Sequence, residues 1–267
     1  MIQFLNMNEM NKDFRFQAEG TPGLPPLRKD EDLYMDEKYE VVFEDSDLLI
    51  VVKGSPFPVH AVSRFQTRNL LSYLERDYGQ KMHLANRLDS ETSGLLMVAR
   101  NEEIAGKLGS ALQDKKVRKE YQAIVIGVPS EKHGFIRTPI KGRRDLLCHI
   151  YEPHPEGKNA ETEYEVLETR GKYSLLRLVA HTGKTHQLRV HLKSIGCPIA
   201  GDKMYIDLKI YDHYVHHGWQ DWMAETVGLR RLALHACLLE LTHPITKEKL
   251  SFNSQLPESL TAFFAAG

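Results

Sequence analysis

The chain has 267 residues, 42% of them hydrophobic, enough for one large core or two modest ones, and its formal charge of −1 singles out no class of partner. No run approaches ~18 consecutive apolar residues, and Met1–Met10 lacks the basic start and apolar stretch of a secretory signal, so neither a membrane span nor export is expected. Cys148, Cys197 and Cys237 are odd in number and form no C-x-x-C pair, which reads as reduced thiols in a cytoplasmic protein rather than as disulfides or zinc ligands.

Residues 1–38 are polar and carry Thr21-Pro22-Gly23-Leu24-Pro25-Pro26, a turn and linker composition, so the chain reads as a short leader followed by one domain over 39–267. Val41–Phe43 and Leu48–Val52 read as strands joined by the polar turn Glu44-Asp45-Ser46-Asp47. From Asn69 to Tyr78, Leu70, Leu71 and Leu74 recur at helical spacing. Leu95–Ala99 has the length and composition of a buried strand. Asn101 then reads as an N-cap, with Glu102 and Glu103 in the first turn of a helix reaching Gln113.

Further strands are expected at Tyr121–Ile126, Thr162–Leu167 and Ser174–Ala180. Thr185 is placed to cap a helix from His186 to Ile195, ended by Gly196 with Pro198 beyond it, and Leu188, Leu192 and Ile195 would form its core-facing stripe. The stretch Tyr205–Arg231 holds His213, His216, His217, Trp219 and Trp222. It reads as a surface helix packed by its two Trp, or as a source of groups that stack on unpaired bases. Leu232–Leu241 is another strand, Lys247-Glu248-Lys249 turns into Leu250–Phe252, and Pro257 opens a terminal helix over Ser259–Ala265. Few helices among long, antiparallel-looking runs predict an α+β fold, with a mixed, mainly antiparallel central sheet and flanking helices.

Charge is unevenly spread. Acid dominates Asp30–Asp47, while base gathers at Lys115-Lys116-Val117-Arg118-Lys119, at Lys141-Gly142-Arg143-Arg144 and between Lys184 and Lys193. Each run taken singly is solvated surface; three together are compatible with one electropositive face. Asn86-Arg87-Leu88-Asp89-Ser90-Glu91-Thr92-Ser93-Gly94 sets a carboxylate at the start of an apolar strand, where it could act as a nucleophile if a cation keeps it ionised, or simply decorate a loop. Tyr121 stands at a strand entrance just after basic residues, as a half-buried strand Tyr, a stacking face or a phenol for proton transfer. In His181–Leu192, His186 and Arg189 share a helix face, and Lys184 lies beside backbone N–H groups suited to phosphate. The spacing of His181, His186 and His191 lacks the i, i+4 pattern and glutamate of zinc-protease helices, so no metal is expected.

Asn86–Val98 resembles the H-R-L-D-x-x-T-S-G-L-L motif of the RluA-type family of RNA pseudouridine synthases. Lys119–Gly127 resembles the K-x-Y-x-A motif of that family. Gly183–His191 and Gly196–Tyr205 resemble G-R-T-H-Q-I-R-x-H and G-x-P-I-x-G-D-x-x-Y, while Leu232–Ala236 with Thr242-His243-Pro244 resembles L-x-L-H-A…H-P. The matches run in order from Val42 to Phe252. Asn86 departs from the usual His and Lys184 from the usual Arg, the latter keeping a cation but losing a bidentate fork.

The resemblance implies the pseudouridine synthase fold with a catalytic cleft. It also implies isomerisation of a uridine in structured RNA, either transfer RNA or ribosomal RNA. Asp89 would then be catalytic, Arg189 would pair with it, and Tyr121 would lie against the base. Arg87, Lys119, Lys184, His186 and His235 would contact RNA. No cofactor or metal is implied, and the protein is expected to act as a monomer without an accessory RNA-binding domain; that last point leans toward a compact stem-loop of transfer RNA. Two other classes remain open: a non-catalytic RNA-binding protein of the same fold, and a glycoside hydrolase, for which Glu91 is the nearest second acid.

Overall fold

Leu48-Leu49-Ile50-Val51 and Leu95-Leu96-Met97-Val98 are apolar at every position, a pattern that suits strands covered on both faces. The computed structural model, which describes residues 36–61, 68–144 and 149–267, places both runs on interior strands of a sheet. Most of the leader, residues 1–35, and Cys148 lie outside the described residues.

In chain order the elements are β1 (Tyr39–Glu44), β2 (Leu48–Lys53), α1 (Leu70–Tyr78), β3 (His83–Leu84), β4 (Ser93–Ala99), α2 (Glu102–Gln113), β5 (Arg118–Ile126), β6 (His133–Ile136), β7 (Ile140–Arg144), β8 (His149–Pro153), β9 (Thr162–Arg170), β10 (Tyr173–Ala180), α3 (Gln187–Ser194), α4 (Lys203–Ile206), α5 (Leu208–His217), α6 (Met223–Val227), β11 (Leu234–Thr242), β12 (Lys249–Asn253) and α7 (Glu258–Ala266).

Ten strands form one sheet in the order β1-β2-β4-β11-β5-β10-β9-β6, with β12 on β11 and β3 on β4; β7 and β8 make a separate hairpin. Every pairing between these strands is antiparallel except β4 with β11, which is parallel and limited to His235↔Ser93 and Ala236↔Gly94. This short seam depends on glycine: Gly94 has φ 109°, and a methyl group there would lie 2.2 Å from the Ala236 carbonyl oxygen.

The two faces of β2 and β4 feed separate cores. Leu49, Val51, Leu96 and Val98 join Leu70 and Leu74 of α1, Leu188 and Leu192 of α3, and Leu260 and Phe264 of α7. Leu48, Ile50, Leu95 and Met97 pack with Ile104 and Leu108 of α2. Each fully buried Leu or Ile here contributes roughly 1.5–3 kcal/mol of transfer free energy. The expected cap of α2 is present, Asn101 accepting from the Ile104 N–H at 2.9 Å, and Asn69 caps α1 in the same way, accepting from the Ser72 N–H at 3.0 Å.

Other expectations change. Thr185 does not cap α3; His186 occupies the N-cap position at φ 56° with no side-chain cap bond, and the Gln187 side chain accepts from the Lys184 N–H and the Thr182 hydroxyl instead. Tyr205–Arg231 is not one helix packed by two Trp. Asp207 caps α5, Gly218 at φ 78° ends it, and α6 follows. Only Trp219 packs inward, against Ile210, Met223 and Val227, while Trp222 stays 49% exposed. Strands β3, β6, β7 and β8 were not foreseen, being short, polar or interrupted by Gly134 and Gly142.

Candidate active site

Asp89 sits in the loop between β3 and β4, where backbone geometry is set by neighbours from β2 and its exit. The Ser90 carbonyl accepts from the Phe57 N–H at 2.9 Å and from the Lys53 ammonium at 3.0 Å, and the Glu91 carbonyl accepts from the Ser55 hydroxyl at 2.5 Å. Asn86 tethers the start of the loop through its Oδ1, which accepts from the Met97 N–H at 2.8 Å. The Glu91 carboxylate is held by Lys203 at 3.0 Å, and Lys203 also donates to the carbonyls of Gly201 and Arg230.

Arg189 reaches the loop from α3. Its Nη1 donates to Asp89 Oδ2 at 3.1 Å, while Nε and Nη2 grip Asp202 Oδ2 and Oδ1 at 2.7 and 2.9 Å. The side chain is 12% exposed and Asp202 is fully buried, so two carboxylates on opposite edges of the guanidinium fix its plane. Its carbon also lies 4.8 Å from the centre of the Tyr205 ring. Asp202 is aimed by its own role at α4, where Oδ1 accepts from the Tyr205 N–H at 3.1 Å. Gly201 allows this approach: at φ 79° it lies so close to Arg231 that a methyl group would fall 1.8 Å from the Arg231 carbonyl oxygen.

His186 is the strained residue of the site, a non-glycine in the left-handed region. Its Nδ1 is 2.9 Å from the Tyr205 hydroxyl, which already accepts from the Tyr151 N–H at 3.1 Å. Ring and hydroxyl share a hydrogen bond whose direction depends on the tautomer, and His186 Nε2 lies 3.8 Å from Asp89 Oδ2.

Burial works to raise the Asp89 carboxyl, but the charges of His186 and Arg189, the Arg189 hydrogen bond and Lys53 outweigh it and hold the carboxyl below its ordinary value. At neutral pH His186 is itself uncharged, pushed down to about 4 by burial and by Arg189. The guanidinium is therefore the charge that matters most there. Lys53, 1% exposed, is pushed down to about 7 by burial and by Arg231, against the pull of Asp89, Asp36 and Glu91. Burial and the Asp89 charge push the Tyr121 phenol upward, so it keeps its proton.

A family model described as RNA pseudouridylate synthase matches residues 47–194. The chain belongs to the RNA pseudouridylate synthase family. It is 31% identical over 254 residues to ribosomal large subunit pseudouridine synthase D of Pasteurella multocida, covering 93% of this chain and 72% of that protein. The protein of the same name from Vibrio cholerae is 33% identical over 226 residues, covering 82% and 68%. Among solved structures, human RNA pseudouridylate synthase domain containing 4 superposes with a TM-score of 0.64 at 27% identity, over 84% of this chain and 91% of that one. The α+β fold is thus that of pseudouridine synthases, and the activity is isomerisation of an RNA uridine to pseudouridine.

In this synthase the fold brings Asp89, Arg189 and His186 together, with Tyr121 buried on β5 and close enough for the Asp89 charge to act on its phenol. Arg87 is exposed and Lys184 half-exposed. His235 is not available to RNA: it is 1% exposed, with Nδ1 2.9 Å from the Ser93 hydroxyl and Nε2 3.1 Å from that of Ser254. It ties β11 to β4 at the parallel seam. Lys141 and Arg143 are matched by Glu156 and Glu152.

The spaced histidines go to separate partners: His181 to Glu163, His186 to Tyr205, and His191 to Thr162 and the Thr138 carbonyl. Asp45, Asp47 and His243 do cluster. However, His243 Nδ1 accepts from the Ile245 and Thr246 N–H groups, which places the ring proton on Nε2, 2.9 Å from Asp45 Oδ2. A ring in that tautomer turns its proton toward Asp45 and has no free lone pair for a metal. Asp202, Lys203 and Tyr205 lie within a motif of the sequence, and Lys53 opens a loose match to another, but none of the four carried an expected role. The signal for Asp202 was Gly201 before it, a glycine that permits close backbone approach.

Proposed function

We propose that Asp89 is the catalytic carboxylate, that Arg189 keeps it ionised and aimed, that Asp202 positions Arg189, and that Tyr121 packs on the base. The observation that carries this reading is the 3.1 Å contact between Arg189 Nη1 and Asp89 Oδ2. The reaction breaks the bond from C1′ to N1 and makes one from C1′ to C5; the C5 proton is lost and a proton is gained at N1. A carboxylate that stays ionised while mostly enclosed can serve it, and such a group needs a cation fixed from the far side. The uridine must leave its stack to reach Asp89, at a cost of a few kcal/mol offset by contacts in the site. Tyr121, holding its proton, supplies an apolar face rather than a base. His186 turns its Nε2 edge toward Asp89 and borders the space for the nucleotide.

Arg87 and Lys184 are assigned to RNA phosphates around the cleft. The RNA proposed is that of the large ribosomal subunit, in place of the transfer-RNA stem-loop expected from the short leader; the names of relatives at 31% and 33% identity support this choice. The test is tritium release from ribosomal RNA labelled at uridine C5 and taken from cells lacking the protein. Wild type should release tritium while Asp89→Ala and Asp89→Asn release none and still bind the RNA. Turnover by a pure Asp89→Asn preparation would sink the assignment.

A further inference from the structure

Asp89, Ser90 and Glu91 are each held by a different cation. Arg189 Nη1 donates to the Asp89 carboxylate and the Lys53 ammonium to the Ser90 carbonyl, while the Lys203 ammonium lies 3.0 and 3.1 Å from the two Glu91 carboxylate oxygens. Lys53 belongs to β2; Arg189 and Lys203 come from α3 and α4. Lys203 is 3% exposed. Its three N–H groups have three acceptors: Glu91, the Gly201 carbonyl at 3.2 Å and the Arg230 carbonyl at 2.8 Å, and the centre of the Tyr214 ring of α5 lies 4.7 Å away. An apolar pair of similar size in such a place is often as stable as a buried ion pair, or more so. What the pair supplies is direction, because an ammonium pinned by two carbonyls meets Glu91 at one place only.

These contacts close a ring. Asp89 meets Arg189, and Arg189 is gripped by Asp202; Lys203 follows Asp202 in the chain and meets Glu91, two residues after Asp89. The gap between the carboxylate and its guanidinium is thus spanned twice, once directly and once through Lys203. Arg231 Nη2 also donates to Ser93 Oγ at 2.7 Å, but farther along, where β4 has begun. We propose that Lys203 is a positioning residue for the isomerisation: through Glu91 it holds the loop at the separation at which Asp89 meets Arg189. The inference rests on Asp89 being the catalytic carboxylate and adds to that reading the part that fixes its distance from the cation.

The experiment is steady-state tritium release from the C5-labelled ribosomal RNA across pH, with urea unfolding in parallel, for wild type, Glu91→Leu and Glu91→Leu/Lys203→Met. In Glu91→Leu the turnover number should fall about 10- to 100-fold through misplacement, with KM for RNA unchanged. The acid limb of the profile should move up as Asp89 loses its fixed approach to Arg189. Its sign separates two causes: loss of the Glu91 charge alone would leave Asp89 under Arg189, Lys53 and Lys203 with less opposing charge, and would move the limb down. Glu91→Leu strands a buried ammonium and should lose stability, which the double variant recovers without recovering turnover. If Glu91→Leu does not fold, the double variant carries the same comparison with wild type. Wild-type turnover in the variants overturns the proposal, as does an unmoved or lowered acid limb, a raised KM with the turnover number intact, or turnover that returns with stability in the double variant. An inactive Asp89→Asn beside any of these results leaves the Asp89 reading standing; turnover by Asp89→Asn removes that reading, and this inference with it, whatever the Glu91 variants do.

Discussion

Asp202 sets what Arg189 can do for Asp89. With three of its N–H groups committed to two carboxylates, the guanidinium has almost no freedom to turn, and its charge meets Asp89 from a fixed direction. Asp202→Asn keeps the shape but removes the charge that holds the fork. We expect the turnover number to fall about 10- to 100-fold through misplacement, with the acid limb of its pH profile moving up as Asp89 loses support. A profile identical to wild type would make Asp202 merely structural. Lys53 gives a stability prediction of known sign. Its folded pKa of about 7 lies below the ordinary lysine value, so above pH 7 the unfolded chain binds more protons and stability rises with pH until both forms are neutral. Wild type should therefore gain stability relative to Lys53→Met between pH 7 and ~10, read by urea unfolding; parallel curves would refute it.

Helices and strands with strong local signals were legible. Asn101 as a cap, the apolar runs of β2 and β4, and Pro257 before α7 follow from chemistry within a few residues. Thr185 failed as a cap because the turn before α3 is closed by Gln187, a choice made by the Thr182 and Lys184 geometry rather than by propensity. The same holds in the site. Asp89, Arg189 and their pairing across 100 residues came from the family resemblance alone, while the hold of Asp202 on Arg189 enters only through the tertiary fold. His235 carried a motif match and proved a seam residue, since burial is not written in a local pattern. At this scale Gly94→Ala is the sharp test. A methyl group against Ala236 cannot be absorbed by a flexible side chain, so the seam must open, at a cost of at least ~2 kcal/mol. Denaturation should show the loss, and an Ala variant of wild-type stability would contradict it.

At the scale of the whole molecule, the sheet has two unequal wings. One holds β1, β2, β3 and β4 and carries Asp89 and Lys53; the other runs from β11 to β6 and carries Tyr121, with Arg189 on the helix packed against it. Among the described residues, backbone pairing between the wings is confined to the two register pairs at Ser93 and Gly94, stapled by the Arg231–Ser93–His235–Ser254 chain of hydrogen bonds. Neither wing alone has both the carboxylate and the guanidinium that pairs with it. With Asp89 as the proposed catalytic carboxylate, competence becomes a report on assembly: a chain in which the wings have separated keeps both pieces of the machinery apart and turns over nothing.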